Sequence, residues 1–269
     1  MNSVFYIGAD PVIVKLGPIS IGWYGLMVAL AVVTVVSWVL WQNSKSKLFS
    51  NDAILTTALI AIPSGVIFSK LLHVIDQWGY YIHNPGKILS GEGLTIWGAV
   101  LGATIGVWLY SVVSKQIRFP VFGDLIAPGI ILAQAIGRIG CTFNGCCYGI
   151  ESHSSWAVIY TNPNSYAPLG IPVLPTQIIE IFFDLAVFGI LFALKGKLKP
   201  AGSLFVVYYA FYAAWRFGID FVRDGTPFLF GLHEAQVIGL VILLITIPII
   251  IFKVRWQVKP APVEPSPEA

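Results

Sequence analysis

Seven long apolar runs constrain the fold of this chain more than any other feature of its sequence. A helix that crosses the hydrocarbon core of a bilayer needs about 20 predominantly apolar residues. The candidate runs are Ile19 to Trp41, Ala53 to Ile75, Leu94 to Val113, Leu125 to Ile139, Thr176 to Leu194, Gly202 to Val222 and Ala235 to Phe252. The fourth run is short and is interrupted by Pro128 and several glycines. The pattern predicts an all-α integral membrane protein with about seven transmembrane helices.

The composition supports a membrane protein and excludes other classes. Hydrophobic residues make up 57% of the chain and charged residues 11%, whereas a soluble domain has roughly 25% charged residues. The net charge of +3 is too small to indicate nucleic-acid binding. We expect one polytopic membrane domain over residues 1–255, without a cleaved signal peptide. The Pro-rich residues 256–269 are expected to form a disordered cytoplasmic tail.

The distribution of Lys and Arg between the apolar runs predicts the orientation. If the N-terminus is outside, the inside segments contain ten basic residues, which are Lys45, Lys47, Lys115, Arg118, Lys195, Lys197, Lys199, Lys253, Arg255 and Lys259. The outside segments then contain Lys15, Lys87 and Arg223. Because basic residues accumulate on the cytoplasmic side, we expect the N-terminus outside and the C-terminus in the cytoplasm.

Three further basic residues, Lys70, Arg138 and Arg216, lie within or at the edge of apolar runs. An ionisable side chain at membrane depth is costly and usually functional. In the predicted orientation all three lie in the outer half of the membrane, at about the depth of outer-leaflet phosphates. Arginine binds phosphate oxygens through two parallel donors. The three cations therefore predict a site for an anionic lipid headgroup.

A purely structural role for these charges is the alternative. Arg216, Asp220 and Arg223 follow one another at helical spacing and could neutralise one another. Glu180 could likewise pair with either Lys70 or Arg138. A membrane transporter is a further alternative, but it would distribute its charges through the bilayer and contain repeated halves.

All three cysteines of the chain lie in one glycine-rich stretch, "GRIGCTFNGCCYG", from Gly137 to Gly149. Its glycines would allow the backbone to approach a ligand closely or to adopt positive φ. Arg138 and Asn144 would offer it a charged donor and an amide, which suit a glycerophosphate group.

This stretch resembles the signature of the prolipoprotein diacylglyceryl transferase family, and further segments resemble that family in the same order. These segments are "LGPISIGWYGLMVA", "GVIFSKLLHVI", "LTIWGAVLGATIG", "APLGIPVLPTQIIE" and "WRFGIDFVRDG". The resemblance implies transfer of a diacylglyceryl group from phosphatidylglycerol to the cysteine thiol of a lipoprotein precursor. It also implies a bacterial plasma-membrane enzyme whose site faces the outer leaflet and whose partners are phosphatidylglycerol, prolipoprotein signal peptides and the bilayer.

The same resemblance assigns expected roles to individual residues. Arg138 and Arg216 would stabilise the leaving phosphate, and the nucleophile would be the thiolate of the substrate. The expected substrate-binding residues are Tyr24, Lys70, Arg138, Asn144, Gly149, Gln177 and Arg223. His73 is the first candidate for the thiol's proton acceptor and Glu180 the second, while the cations alone could also acidify the thiol. No cofactor is expected.

The sequence departs from the family pattern at several positions. Cys141 stands where asparagine is usual, Cys146 where an acidic residue is usual, and Trp97 where histidine is common. Lys70 and Leu174 replace an arginine and a histidine, and Asp220 replaces a glutamate. A homologue that binds phosphatidylglycerol without catalysis therefore remains an alternative.

The cysteines allow three interpretations. A disulfide between Cys141 and either Cys146 or Cys147 would brace the loop on an oxidising side of the membrane. Buried free thiols are the second interpretation. A zinc site with His153 is the third, but the spacing lacks paired CxxC elements, and we expect no metal. The family resemblance suggests that the following outside loop covers the site and helps to admit the signal peptide of the precursor. Its Trp156, Tyr160 and Tyr166 are each expected to belong to an interfacial aromatic belt instead.

Overall fold

The computed structural model describes residues 5–17, 19–89, 95–225 and 227–257 and is mostly helical. Seven of its helices have 17 residues or more: α1 Trp23–Ser46, α2 Asn51–Asp76, α4 Ile96–Ser114, α5 Phe119–Asn144, α6 Thr176–Leu194, α7 Ser203–Ile219 and α8 Glu234–Lys253. A short α3, Trp78–Tyr81, and a 3-10 turn, Pro85–Leu89, follow α2. The strands are β1 Phe5–Ile7, β2 Val12–Leu16, β3 Ile19–Gly22, β4 Val158–Tyr160, β5 Pro172–Val173, β6 Leu198–Lys199 and β7 Arg255–Trp256.

Several of these helices have the length and hydropathy of membrane spans. In the described residues, five helices meet both criteria, which are α1, α2, α5, α6 and α8. The remaining two long helices, α4 and α7, lie where the sequence predicts the third and sixth runs. A helical, multi-pass membrane protein is therefore confirmed, whereas seven spans and their orientation stay predictions.

Two predicted elements differ from the structure. Helix α5 has 26 residues and continues through Pro128, so the prediction of a short, interrupted fourth run was wrong. A proline costs a helix one backbone hydrogen bond, and surrounding protein can compensate for that loss at membrane depth. The start of the first run is also wrong, because Ile19–Gly22 pairs with β2 in an antiparallel hairpin and helix α1 begins at Trp23. The fold is consequently not purely helical.

One compact unit of the chain comprises Val32–Gly129. Here α2 packs closely on α4 through glycines at four-residue spacing. A Cβ added to Gly98 would lie 2.6 Å from the Cα of Ser69, and one added to Gly106 would lie 3.1 Å from the Cβ of Ser64. Small residues at such an interface let two apolar helices approach until their backbones touch.

The other unit comprises the described parts of Met1–Ala31 and Ile130–Ala269. Strand β4 pairs with β1 in parallel and with β5 in antiparallel orientation, so that Phe5 is opposite Val158. The sheet has a small buried core that includes Val158, Tyr160 and Val173. Helices α7 and α8 pack through Gly239, whose added Cβ would lie 3.0 Å from the backbone oxygen of Ala213.

The C-terminal segment is described as far as residue 257. Strand β7 pairs with β6, and the amide of Gln257 donates to the backbone oxygen of Lys197 at 2.7 Å. The first two residues of the predicted tail therefore make backbone contacts with the α6–α7 connection. The rest of the tail, including Lys259, lies outside the described residues.

Candidate functional site

A buried ion pair joins α5 to α6. The Nη2 of Arg138 lies 2.8 Å from the Oε1 of Glu180 and donates a hydrogen bond to it. The Nε2 of Gln134 donates to the same carboxylate oxygen at 3.3 Å and to the Oδ1 of Asp184 at 3.4 Å. Of the two partners predicted for Glu180, the structure selects Arg138.

Helical spacing creates this polar contact. Gln177, Glu180 and Asp184 follow at intervals of three and four residues on α6, and 1% or less of each residue is exposed. Gln134 precedes Arg138 by one turn on α5, so the two side chains also share a face. Gln177, Glu180 and Arg138 were predicted from the sequence, whereas Gln134 and Asp184 were not. Their spacing relative to the predicted residues is the signal that could have revealed them.

A second charged cluster closes the C-terminal end of α7. The Nη1 of Arg216 lies 3.0 Å from the Oδ1 of Asp220, and the Nη1 of Arg223 lies 3.9 Å from the same oxygen. The structure therefore contains the contacts of the structural alternative, in which these three residues neutralise one another. The Nη1 of Arg216 and the Oδ1 of Asp220 are both buried. Neither atom makes a hydrogen bond to any described residue, including each other. Their contact is thus a charge pair that leaves hydrogen-bonding capacity unused.

Both charged clusters lie in the same region of this unit. Tyr212 of α7 is close enough to Arg216, Arg138 and Glu180 to interact electrostatically with each of them. The backbones of Gly149 and Arg223 form an isolated antiparallel bridge. Arg138 of α5 and Arg216 of α7 thus both interact electrostatically with Tyr212, and the common membrane depth predicted for them stays a prediction.

The loop after α5 is fixed by side chains from the start of α6. The Nε2 of Gln177 donates to the backbone oxygen of Cys146 at 2.7 Å, and the Oγ1 of Thr176 donates to that of Cys147 at 2.6 Å. Gly149 donates its amide to the oxygen of Leu174 at 2.8 Å. Gln177 thus holds the loop that follows Arg138, in addition to the binding role predicted for it.

Gly149 is required by packing. A Cβ at this position would lie 2.5 Å from the backbone oxygen of Val222 and 2.9 Å from both the Cβ of Leu174 and the Cγ2 of Thr176. Any side chain would push apart the segments that follow α5 and α7 and the one that precedes α6. The glycine is therefore required by close protein contacts, and the ligand-binding role predicted for it stays a prediction.

Two tyrosines anchor the surrounding loop. The hydroxyl of Tyr160 donates to the backbone oxygen of Thr142 at 3.1 Å, and only 1% of the residue is exposed. Its assignment to an interfacial aromatic belt was therefore wrong, because its β-strand position directs it into the small core. Burial raises the pKa of Tyr160, so its hydroxyl keeps its proton. Burial, with the neighbouring Asp224, also raises the pKa of Tyr148.

Close packing of α1 against α5 positions Tyr24 and Asn144. A Cβ on Gly140 would lie 3.1 Å from the Cα of Tyr24, and the rings of Trp23 and Phe143 stack with centroids 5.0 Å apart. Asn144 is the last residue of α5, and its backbone oxygen accepts a hydrogen bond from the amide of Tyr166 at 3.1 Å.

Two other predicted site residues, Lys70 and His73, belong to the Val32–Gly129 unit. The Nζ of Lys70 donates to the hydroxyl of Tyr81 and to the backbone oxygen of Lys87, both at 3.3 Å. The imidazole of His73 packs edge to face against the ring of Tyr81, with 5.8 Å between the ring centroids. These contacts leave their catalytic and binding roles as predictions. The side chain of Trp97 is not among those that the structure describes.

All three cysteines are free in the structure, and their sulfur atoms all lie within 4.8 Å of one another. The predicted disulfide is therefore not formed. The Nη1 of Arg138 donates to the Sγ of Cys141 at 3.8 Å. His153 is exposed and does not join the group of possible metal-binding atoms found in the described residues.

Comparisons with known proteins point to one family. The sequence model described as "Prolipoprotein diacylglyceryl transferase" matches residues 11–252. A phosphatidylglycerol–prolipoprotein diacylglyceryl transferase of Dehalococcoides mccartyi is 51% identical over 254 residues, which cover 94% of this chain and 97% of the relative. A protein of the same name from Clostridium tetani is 35% identical over 221 residues, which cover 81% of this chain and 86% of the relative.

Proposed function

Because this chain belongs to the prolipoprotein diacylglyceryl transferase family, we propose that it transfers the diacylglyceryl group of phosphatidylglycerol to a prolipoprotein cysteine. The thiolate of the precursor attacks the sn-3 carbon of the lipid and forms a carbon–sulfur bond. The bond between that carbon and the phosphate oxygen breaks, and glycerol 1-phosphate leaves. The step requires a deprotonated thiol and a stabilised leaving phosphate.

The arrangement of donors on Arg138 is the observation that carries this proposal. Its Nη2 is held by Glu180, while the Nη1 has the thiol of Cys141 as its partner among the described residues. A thiol sulfur is a weak acceptor, so a phosphate oxygen would replace it with a much stronger partner. Glu180 thus orients the guanidinium and leaves one of its edges available for the leaving group.

Arg216 is proposed to supply the second cation. Its Nη1 is buried beside Asp220 without a hydrogen bond to any described residue. An unused, desolvated N–H group aimed at an anion is more effective than the same group in water, because nothing must be reorganised when charge develops. Arg138 and Arg216 would together bind the phosphate as glycerol 1-phosphate departs.

The proton acceptor for the substrate thiol is proposed to be His73, with Glu180 as the alternative. The Oε1 of Glu180 already accepts from Arg138 and Gln134. Proton uptake by that oxygen would disrupt both contacts, which favours the histidine. Glu180 then acts mainly as a positioning residue for Arg138.

The other predicted site residues divide between two proposed roles. Tyr24, Lys70, Asn144 and Arg223 are proposed to contact phosphatidylglycerol. Gln177 and Gly149 are proposed to act indirectly, because their contacts hold the loop that follows α5.

The proposed location is the bacterial plasma membrane, with seven spans and the site near the outer leaflet. Two features support it. The basic residues between the apolar runs favour an external N-terminus. The end of α5 meets the start of α6 at Arg138 and Glu180, and Tyr212, near the end of α7, interacts electrostatically with both. Alternating spans would bring these three helix ends to one side of the bilayer.

Transfer to a synthetic lipobox peptide tests the proposed reaction. Purified protein in phosphatidylglycerol-containing detergent micelles should increase the peptide mass by one diacylglyceryl group. A peptide with serine in place of the cysteine and micelles of phosphatidylethanolamine are the matched controls, and neither should give a product. Binding of phosphatidylglycerol without a mass increase would contradict catalysis and support the non-catalytic alternative.

A further inference from the structure

The three cysteine sulfurs form a preorganised cluster. Cys141 lies in the last turn of α5, and the chain then folds back so that the amide of Cys146 donates to the backbone oxygen of Cys141 at 3.3 Å. All three sulfur atoms lie within 4.8 Å of one another without a disulfide. Small rotations of the cysteine side chains would let all three sulfur atoms coordinate one metal ion.

The backbone holds Cys147 in a costly conformation. Its φ is +67°, in the left-handed region, and Gly145 has a φ of +71°. A non-glycine residue persists there only where its surroundings fix it, and such strain is concentrated at functional sites. Thr176 and Gln177 provide that fixation, because they donate to the backbone oxygens of Cys147 and Cys146. The α6 side chains thus maintain the geometry that places the thiols together.

Two arginines give the cluster a positive environment. The Nη1 of Arg138 lies 3.8 Å from the Sγ of Cys141, and both Arg223 and Arg138 interact electrostatically with Cys147. Three thiolates around a monovalent ion carry two net negative charges, and Arg138 and Arg223, which also pair with Glu180 and Asp220, offset part of them. Charge compensation of this kind reduces the cost of holding thiolates in a partly buried place.

We propose that Cys141, Cys146 and Cys147 bind one Cu(I) ion through three thiolate sulfurs. Each thiol that binds releases its proton to solvent, and the oxidation state of the metal does not change. Thiolates select soft ions such as Cu(I). Zinc requires a fourth ligand, from the protein or from water, whereas three thiolates alone complete a trigonal Cu(I) site. This group in the described residues contains three sulfurs and no histidine or carboxylate.

Competition for Cu(I) tests the site without any lipid or peptide, so its outcome is independent of the proposed transferase activity. Untagged, reduced protein in detergent would be titrated anaerobically against a Cu(I)–bicinchoninate complex. We expect one copper per chain and a thiolate-to-copper charge-transfer band. X-ray absorption at the copper edge should show three sulfur ligands and no nitrogen ligand.

Serine variants identify the ligands. The chain contains three cysteines, so the triple serine variant has no thiol left and should lose the charge-transfer band. Cys141→Ser, Cys146→Ser and Cys147→Ser should each weaken Cu(I) binding by more than about 100-fold, since loss of an outer-shell partner alone can cost that much. His153→Ala is the matched control and should bind like the wild type.

Several results would overturn the proposal. They are failure of the wild-type protein to take Cu(I) from bicinchoninate, a copper coordinated by nitrogen or oxygen alone, and equal binding by the triple serine variant. Tighter binding of Zn(II) than of Cu(I) would overturn the assignment of the ion. The X-ray absorption measurement uses the wild-type protein, so it decides the question even where a serine variant fails to fold.

Discussion

Arg138 and Glu180 form a buried ion pair across α5 and α6, with 2.8 Å between the Nη2 and the Oε1. Side-chain exposure is 14% for the arginine and 2% for the glutamate. Removing one member of a buried pair leaves an uncompensated charge, which costs more than the pair itself contributes. The pair therefore couples the stability of the helix packing to the position of the proposed phosphate-binding cation.

Glu180→Gln should destabilise the protein by about 3 kcal/mol, because it leaves the charge of Arg138 uncompensated. Thermal unfolding in detergent measures the loss. The double variant Arg138→Gln/Glu180→Gln should be less destabilised than the sum of the two single variants, since the pair interacts directly. Glu151→Gln, at an exposed position, is the control and should unfold like the wild type. Additive effects of the two single substitutions would show that the pair is not coupled.

Asp220→Asn should also lower the unfolding temperature. Its carboxylate is the shared counterion of Arg216 and Arg223, and without it two positive charges face each other in a buried region. We expect a loss of about 3 kcal/mol, measured by the same unfolding experiment. Asp76→Asn replaces an exposed aspartate at the end of α2 and should have little effect. Equal behaviour of the two variants would argue against the shared counterion.

Gly149→Ala should reduce both stability and transferase activity. The added methyl group would collide with the oxygen of Val222 and with side chains of Leu174 and Thr176, and overpacking of this kind costs about 1–3 kcal/mol. Gly189→Ala is the matched control, because an added Cβ on that residue of α6 meets no atom within 4 Å. A Gly149→Ala protein with wild-type unfolding and activity would contradict the packing role.

Tyr160→Phe should cost about 1 kcal/mol, the net contribution of a typical hydrogen bond. The substitution removes the bond from the Tyr160 hydroxyl to the oxygen of Thr142 and leaves that carbonyl with one partner fewer. Tyr166→Phe provides the comparison, since 74% of Tyr166 is exposed. If the two variants had nearly equal free energies of unfolding, the hydroxyl of Tyr160 would not stabilise the loop.

The apolar runs predicted most of the helical fold. All seven runs coincide with long helices, because hydrophobic length is a sufficient signal for a segment that must satisfy its own backbone hydrogen bonds. The course of α5 through Pro128 and the hairpin at Ile19–Gly22 were not predicted. The course of α5 depends on packing against distant parts of the chain, such as Trp38, whose Nε1 donates to the backbone oxygen of Leu125. The hairpin is local, since Leu16 pairs with Ile19, and it was missed because its second strand is apolar and continues directly into the apolar run of α1.

The candidate site was predicted in part from its charges. Arg138, Arg216 and Glu180 are exceptional in apolar runs, so each attracts attention on its own. Gln134 was missed because it is uncharged and its significance depends on sharing a helical face with Arg138. Asp184 was overlooked, although it is a charged residue in the same apolar run as Glu180. Similarly, the proximity of three sulfurs depends on left-handed backbone at Gly145 and Cys147, which the CxxxxCC spacing does not indicate.

The rate of diacylglyceryl transfer by Arg138→Ala, measured against Arg118→Ala, tests the central claim most directly. Arg118 is an exposed arginine outside the proposed site, so its loss controls for the removal of a positive charge. The peptide assay should show wild-type transfer by Arg118→Ala. Transfer by folded Arg138→Ala should fall by about 100-fold or more, as expected when a donor to a developing anion is removed. Transfer by Arg138→Ala at the wild-type rate would contradict the assignment of Arg138 to the leaving phosphate.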